Sequence, residues 1–320
     1  MSFSIATPMN SKSASKVVVD CYSFLDIVFS HSGISDYTDG LYLSARDTYE
    51  VAQRQQLNYL LDEVGCREGS RLLDIGCGAG TLLRQARKRG AKAIGITVSP
   101  PQAVRCQAQG LDARVLNYRD ALQVWRNDFD CIIANGSLEH FVQADDAVAG
   151  HGSCIYNDFF RICHELLDHS SPVRKLATTA IHIGPTLNID PLNVVRSPFD
   201  FWWGSKEFHC SMLEKIMGGY YPDIGQLEAC AQPYFKPSRV VDGTHDYHRT
   251  SEAWLNRALK TMFASTGTFR LWKDLLPYIS AKPRHAILSL VGYLVAQSWH
   301  WQFRGKTPPM TLLRHTWYIE

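Results

Sequence analysis

The sequence predicts an α/β fold, an open and mainly parallel sheet wrapped by helices. Three observations predict it. Short apolar runs alternate with amphipathic stretches from residue 71 to residue 183. The first run ends in a glycine-rich turn, GCGAG at 76–80, that leads into a helical pattern. The chain has 320 residues, 45% of them hydrophobic, which is enough for a large core. Strands alternating with helices at this rhythm form right-handed βαβ units.

Taken in order, residues 1–16 (MSFSIATPMNSKSASK) are Ser-rich and polar, lack a secretory apolar core, and read as a flexible arm. A single domain is expected over 17–320. Its helical cap covers 17–65: VVVDCYSFLDIVFS, then residues 47–65 with apolar positions at helical spacing and Gly65 as a C-cap. The core, 66–183, reads as strands RLLDI, AKAIGIT, ARVLN, DCIIA and ATTAIHI, with helices TLLRQARKRG, PPQAVRCQAQG and about 154–167 between them. Residues 184–222 are rich in Pro, Gly and aromatics and read as an insertion. With a helix GQLEACAQ and a strand SRVVDG, this makes a lid and strand region over 184–250. Residues 251–320 are mainly helical and end in MTLLRHTWYI, expected as an edge strand. The apolar run AILSLVGYLVA at 286–296 is too short to span a bilayer.

Basic residues number 33 against 31 acidic, a net charge of +2 without a Lys/Arg block, so no nucleic-acid partner is expected. Peripheral membrane contact stays open. The nine cysteines are scattered, form no CxxC pair and lack metal-ligand spacing. They read as reduced core residues of a cytoplasmic protein, with no metal site.

The stretch LLDIGCGAG (72–80) carries the chemistry. Asp74 closes a strand, and Gly76, Gly78 and Gly80 turn it into a helix. Glycines are needed where φ is positive and where a ligand approaches the backbone. A dinucleotide site would need G-x-G-x-x-G and an acid after the second strand, where Thr97 and Gln102 stand instead. D-x-G-x-G-x-G resembles the first motif of class I S-adenosylmethionine-dependent methyltransferases, whose ligand carries an ammonium for the upstream acid to support.

Further segments resemble the cyclopropane fatty acid synthase and mycolic acid cyclopropane synthase family. They are YTDGLY (37–42), GITVSPPQ (95–102), LNYRD (116–120), ANGSLEHF (134–141), the triplet AIH ending at His182, and HDYHRTSEAW (245–254). The resemblance implies a class I methyltransferase Rossmann-like sheet with an N-terminal helical cap and an inserted aromatic-rich lid. It implies S-adenosylmethionine contacts from Tyr37, Thr38, Gly76, Gly78, Thr97, Gln102 and Tyr118. Arg119 and Asn135 occupy contact positions with less common residue types. It also implies that Glu139, His182 and Tyr247 hold a bicarbonate ion beside the substrate. Plain alternatives stand for each: Thr97 as a strand end, His182 as a core histidine, Tyr247 as a loop aromatic, and His140 as a structural neighbour of Glu139.

One departure is Asp39, where the family has cysteine. A carboxylate near Glu139 opposes a bound bicarbonate by like-charge repulsion. Asp39 is therefore expected either to replace bicarbonate as the base or to bind a polar substrate group, unless it points to solvent. The implied chemistry is methylation of an alkene, whose cationic product aromatic faces stabilise before a base removes a proton. Phe199, Phe201, Trp202, Trp203, Phe208, Tyr220 and Tyr221 read either as an apolar tunnel or as the insertion's own packing. The leading function is C-methylation or cyclopropanation of an unsaturated fatty acyl chain. The alternative is C- or N-methylation of an isoprenoid or other small metabolite. A non-catalytic binding protein is disfavoured by the glycine loop together with Glu139, His182 and Tyr247. A cytoplasmic location is expected, at the membrane surface for a lipid substrate.

Overall fold

The computed structural model describes residues 11–264 and 266–319, with side chains from Lys16 onward. Seven strands, β1 (Arg71–Ile75), β2 (Lys92–Thr97), β3 (Asp112–Val115), β4 (Cys131–Asn135), β5 (Lys175–Ile183), β6 (Lys236–Asp242) and β7 (Met310–Tyr318), form one sheet. Their order is β3-β2-β1-β4-β5-β7-β6. The first five are mutually parallel, and β7 runs antiparallel to both β5 and β6.

Before β1 come α1 (Ser11–Ser32) and α2 (Tyr49–Glu63). Between β1 and β5 lie α3 (Thr81–Lys88), α4 (Pro100–Gln107), α5 (Ala144–Val148) and α6 (Gly152–Leu166). The region before β6 holds α7 (Pro191–Val194), α8 (Lys206–Met217) and α9 (Gln226–Ala231). Then follow α10 (Thr244–Phe263), α11 (Thr268–Ala281), α12 (Pro283–Leu290), a π turn Val291–Val295, and α13 (Ser298–Trp301). Local chemistry sets several ends. The Thr48 side chain accepts the Val51 amide and starts α2, and Gly65 at φ +64 turns the chain after it. Ser205 caps α8 through the Phe208 amide.

Three expectations need correction. The arm expected over 1–16 gives way to α1 at Ser11, and residues 1–10 lie outside the described residues. The final strand is not an edge. β7 is inserted between β5 and β6, with Trp317 and Arg314 fully buried, while β6 is exposed along most of its length and forms the edge. The 184–222 segment, expected as an insertion rather than a core element, contributes to the core. Its helix α8 buries Phe208, Met212, Leu213 and Ile216 against α1 and α12.

One face of the sheet packs on α6 and α9 through Phe159, Phe160, Leu227 and Trp317. The other packs on α2 and α3 through Leu57, Leu61, Leu82 and Ala86. Above the carboxyl ends of the strands, α1, α8, α10, α11 and α12 form a third, aromatic-rich cluster. Open α/β sheets bind ligands at that edge.

Candidate active site

The strand β1 delivers Ile75 to the glycine turn, where the Gly76 and Cys77 amides both donate to the Ile96 carbonyl, at 2.8 and 3.0 Å. Gly76 has φ +85, and a Cβ there would stand 2.6 Å from the Ser137 Cβ. The turn after β4 therefore packs directly on the glycine loop, and only glycine fits. The result is a cleft of about 870 Å³ lined by Asp36, Tyr37, Thr38, Asp74, Gly76, Gly78, Thr97, Gln102, Tyr118 and Asn135, among others.

The cleft's polar groups fit a zwitterionic nucleoside. Burial pushes the Asp36 carboxyl up to about 6, and raises Asp74 well above the ordinary carboxylate range, with Asp36 adding to the shift. Asp74 Oδ2 is buried without a partner. Two desolvated acids facing one cleft are relieved by a cation such as an amino acid's ammonium. Thr97 Oγ1 donates to Gln102 Oε1 at 2.9 Å, which leaves the buried Gln102 Nε2 as a free donor. The Tyr118 ring stacks on Phe141 at 4.2 Å and borders the cleft as a flat apolar wall.

A second cavity, about 690 Å³, lies between α1, α10 and residues 293–300. Its lining includes Phe24, Leu25, Val28, Phe29, Trp254, Ala258, Met262 and Leu294, and contains no Asp, Glu, Lys or Arg. Tyr22 and Tyr37 line both cavities, so the two meet at these rings.

Glu139 lies in a 3-10 turn, Leu138–His140, and lines neither cavity itself, although its neighbours Ser137, His140 and Phe141 line the cleft. Its Oε1 accepts the Ile181 amide at 2.9 Å, and its buried Oε2 has no partner. Burial pushes its carboxyl up to about 7. Its charge in turn raises the hydroxyl pKa values of Tyr22, Tyr221 and Tyr247, behind the larger effect of their own burial. The next residue is a knot. His140 Nδ1 donates to the Gly218 carbonyl at 3.1 Å, so its Nε2 accepts from the Tyr22 hydroxyl at 2.9 Å. This ring ties α1 and the segment after α8 to the Glu139 turn.

Five further expected site residues stand elsewhere. Asp39 lines neither cavity. It is fully buried, its Oδ2 held by two nitrogens of Arg314 and its Oδ1 by Gln56 at 3.0 Å. Arg314 also bonds Asp246 at 2.9 Å. Burial raises the Asp39 pKa and opposes the charge on Arg314, but the two acids outweigh that and raise Arg314. With its oxygens taken, Asp39 is not free to act as a base or to bind substrate, though its charge still adds to the raising of Glu139, behind burial. His182 points to the opposite face of β5 from Ile181, because side chains alternate along a strand. Its neighbour there is His315, which bonds Glu228 of α9, and its Nδ1 is engaged by the Ala180 carbonyl at 2.9 Å. It is a buried histidine whose Nε2 has no partner, and the groups that act on it are His315 and Glu228 rather than Glu139. Tyr247 packs on Phe303, Trp254 and Trp299 behind the apolar cavity. Glu139 does act on the buried Tyr247 hydroxyl, but His182 answers to His315 and Glu228 instead, so the three do not form one set around a bicarbonate, and no step is derived through that ion. Arg119 and Gly80 also lie outside the cleft lining: Arg119 buttresses the Tyr118 hydroxyl at 3.3 Å, and Gly80 packs under Cys106 and Leu111.

The expected aromatic tunnel splits as well. Phe208 is buried, whereas Phe199, Trp202 and Trp203 are 61%, 89% and 58% exposed on the surface. Sequence reasoning missed Asp36, Tyr22 and Arg314. For Arg314 a signal existed: one cation inside the apolar strand MTLLRHTWYI requires a buried acid to pair with it.

A sheet of this order, a glycine turn after β1 and an acid-lined nucleoside cleft define a class I S-adenosylmethionine-dependent methyltransferase. The sequence pattern of the mycolic acid cyclopropane synthetase family matches residues 22–263, and the chain belongs to that family. It is 26% identical over 246 residues to cyclopropane mycolic acid synthase 1 of Mycobacterium tuberculosis, covering 71% of this chain and 79% of that one. It is 27% identical over 228 residues to the cyclopropane-fatty-acyl-phospholipid synthase of Escherichia coli, covering 68% and 50% of the two chains. The fold is similar to that of the cyclopropane synthase MmaA2 from Mycobacterium tuberculosis, with a TM-score of 0.69 at 20% identity over 98% of this chain and 99% of that one.

Proposed function

We propose that this enzyme methylates a carbon of the double bond in an unsaturated acyl chain. The observation that carries the reading is the apolar cavity, free of ionised side chains and meeting the cofactor cleft at Tyr22 and Tyr37. Each methylene buried there contributes roughly 0.8 kcal/mol, so chain length rather than a polar group dominates recognition. The names of the two curated relatives, which act on mycolic acid and on fatty acyl phospholipid, agree with it.

S-adenosylmethionine, when bound, supplies an electrophilic methyl group. Asp36 and Asp74 are assigned to its ammonium, Thr97 and Gln102 to its hydroxyls, and Tyr118 with Phe141 to its base. Gly76 and Gly78 permit close approach, and Thr38 and Asn135 shape the floor. Ring faces at the junction, Tyr22 and Tyr37 with Trp254 behind them, stabilise the cation left on the substrate carbon. Glu139 Oε2 accepts the proton that the cation loses, and the C–H electron pair forms either a cyclopropane bond or a new double bond. Closure of the chamber by the His140 knot excludes water from the cation.

One observation favours a second reading. An unpartnered carboxyl among tyrosines also suits a small amine substrate. Incubation with methyl-labelled S-adenosylmethionine and separated lipid and polar extracts decides between them. We expect label at a former double-bond carbon in the lipid. Label confined to a polar amine rejects the acyl reading.

A further inference from the structure

Two thiols stand against the turn that borders the cofactor cleft. All nine cysteines of the chain are free. Cys77 lies inside the glycine turn and lines the cleft. Cys106 lies in α4, one helical turn after Gln102, and is fully buried. Its sulfur packs on the same turn. The Cys106 thiol donates to the Gly78 carbonyl at 3.5 Å, and a Cβ on Gly80 would stand 2.9 Å from the Cys106 sulfur. The two cysteines share one small apolar cluster with Leu83 and Leu111, and the Cys77 thiol donates to the Cys106 sulfur.

Position and acidity together set this pair apart. The hydrogen bond from Cys77, helped by Arg105 and Arg84, brings the Cys106 thiol down to about 7 against its burial. A share of Cys106 is therefore thiolate at neutral pH. The same bond, with burial, holds the Cys77 thiol well above its ordinary value. Cys106 is thus the base, and Cys77 is the thiol that the cleft exposes. Cys66 and Cys131 also share a hydrogen bond, but they line neither cavity, and Cys131 begins β4 at the end of the sheet away from the cleft. Cys154 is exposed on α6.

We infer that Cys77 and Cys106 form a redox modification site, which hydrogen peroxide closes to a disulfide and which thereby gates the cofactor cleft. Cys77 gives its proton to the Cys106 thiolate and attacks the peroxide. A sulfur–oxygen bond forms, the oxygen–oxygen bond breaks, and the departing hydroxide takes up the proton that Cys106 had released, as water. Cys106 then attacks the Cys77 sulfenic acid, the two sulfurs join, and a second water leaves. Two thiols are oxidised to one disulfide, and one peroxide is reduced to two waters. The disulfide holds its sulfurs closer than a hydrogen bond does, so α4 and the turn are drawn together, and the Gly78 carbonyl loses its donor. Gly76, Gly78 and Gln102, assigned above to the cofactor, shift with them, and cofactor affinity falls. The linkage is reciprocal: a bound cofactor covers Cys77 and protects the pair. The inference rests on the cofactor cleft and is independent of the acyl reading.

The test uses the full chain, hydrogen peroxide, and S-adenosylhomocysteine as the probe in calorimetry. After treatment with peroxide, peptide mapping finds Cys77 bridged to Cys106, affinity for the probe falls by roughly tenfold or more, and dithiothreitol restores it. Saturating probe added first slows the bridging by about the same factor. Cys106→Ser, which keeps a donor for the Gly78 carbonyl, holds its affinity for the probe through peroxide treatment. Cys154→Ser responds as the wild type does. The mapping and the protection by probe are read on the wild type, so they decide the matter even where Cys106→Ser folds poorly. Lost affinity without the Cys77–Cys106 bridge, equal loss in Cys106→Ser, bridging confined to Cys66 and Cys131, or bridging that the probe does not slow overturns the site. Bridging that leaves affinity unchanged removes the gate alone, whereas a reduced protein that does not bind the probe removes the cofactor assignment and the gate together.

Discussion

Burial pushes the Glu139 carboxyl up to about 7, so the folded protein holds a proton there that the unfolded chain releases near its ordinary value of 4.5. Folding stability therefore falls as pH rises through that window, and by pH 8 the charged carboxylate costs roughly 3 kcal/mol. Glu139→Gln removes that cost. The variant should resist urea better than wild type at pH 8 by up to about that amount, and no better at pH 4. Its methyl transfer should fall by about 10²- to 10⁴-fold, and the rise of wild-type kcat with pH near 7 should vanish. A stabilised variant with full turnover would remove Glu139 from the chemistry. Asp39 is expected to behave in the opposite way. Asp39→Ala strands part of the buried Arg314 charge and should cost roughly 3–5 kcal/mol in urea unfolding, with the product pattern unchanged. A double-mutant cycle with Arg314→Met measures the coupling. A change of product in a fully stable Asp39 variant would restore a chemical role.

At the scale of elements, the segment after α8 is stitched to the Glu139 turn. The Tyr220 amide donates to the Val142 carbonyl at 2.7 Å and the Gly219 amide to Gln143 Oε1 at 3.2 Å. Gly219 has φ +99, and a Cβ there would lie 2.0 Å from the Glu139 carbonyl oxygen. Gly219→Ala should therefore part the two segments, cost roughly 2–3 kcal/mol, and speed amide exchange at 138–142 and 218–221. Unchanged exchange there would show that the contact does not hold the chamber shut. The five parallel strands were legible because each apolar run is followed by a helical pattern. The position of β7 was not, since periodicity reports an element and not its neighbours; only pairing with β6 places it inside the sheet. The face of His182 was hidden for a related reason. The run ATTAIHI is buried on both sides, so it has no polar alternation from which a face is read. The cofactor residues of the glycine turn were legible because the motif is local. The Asp39–Arg314 pair was not, because its partners stand 275 residues apart.

Across the whole molecule, one cluster joins Phe24 and Phe29 of α1, Ile181 of β5, Phe208 of α8, Trp254 of α10 and Leu312 of β7. Cap, core, lid region and C-terminal helices therefore share apolar contacts, which supports our reading of residues 17–320 as a single domain. We expect calorimetry and circular dichroism to show one coincident unfolding transition; two separated transitions would divide the chain. The placement of β7 has a further consequence for how the protein is made. Arg314 lies in the last strand, yet it neutralises Asp39 in the loop that carries Tyr37 and Thr38 into the cofactor cleft. A nascent chain adds about 5–20 residues per second, so the loop waits on the order of a minute or less with a carboxylate that has no cation. Until Arg314 emerges, Gln53 and Asn135 can already hold Thr38 to the cleft, but the acid one residue further on stays without the cation that lets it be buried.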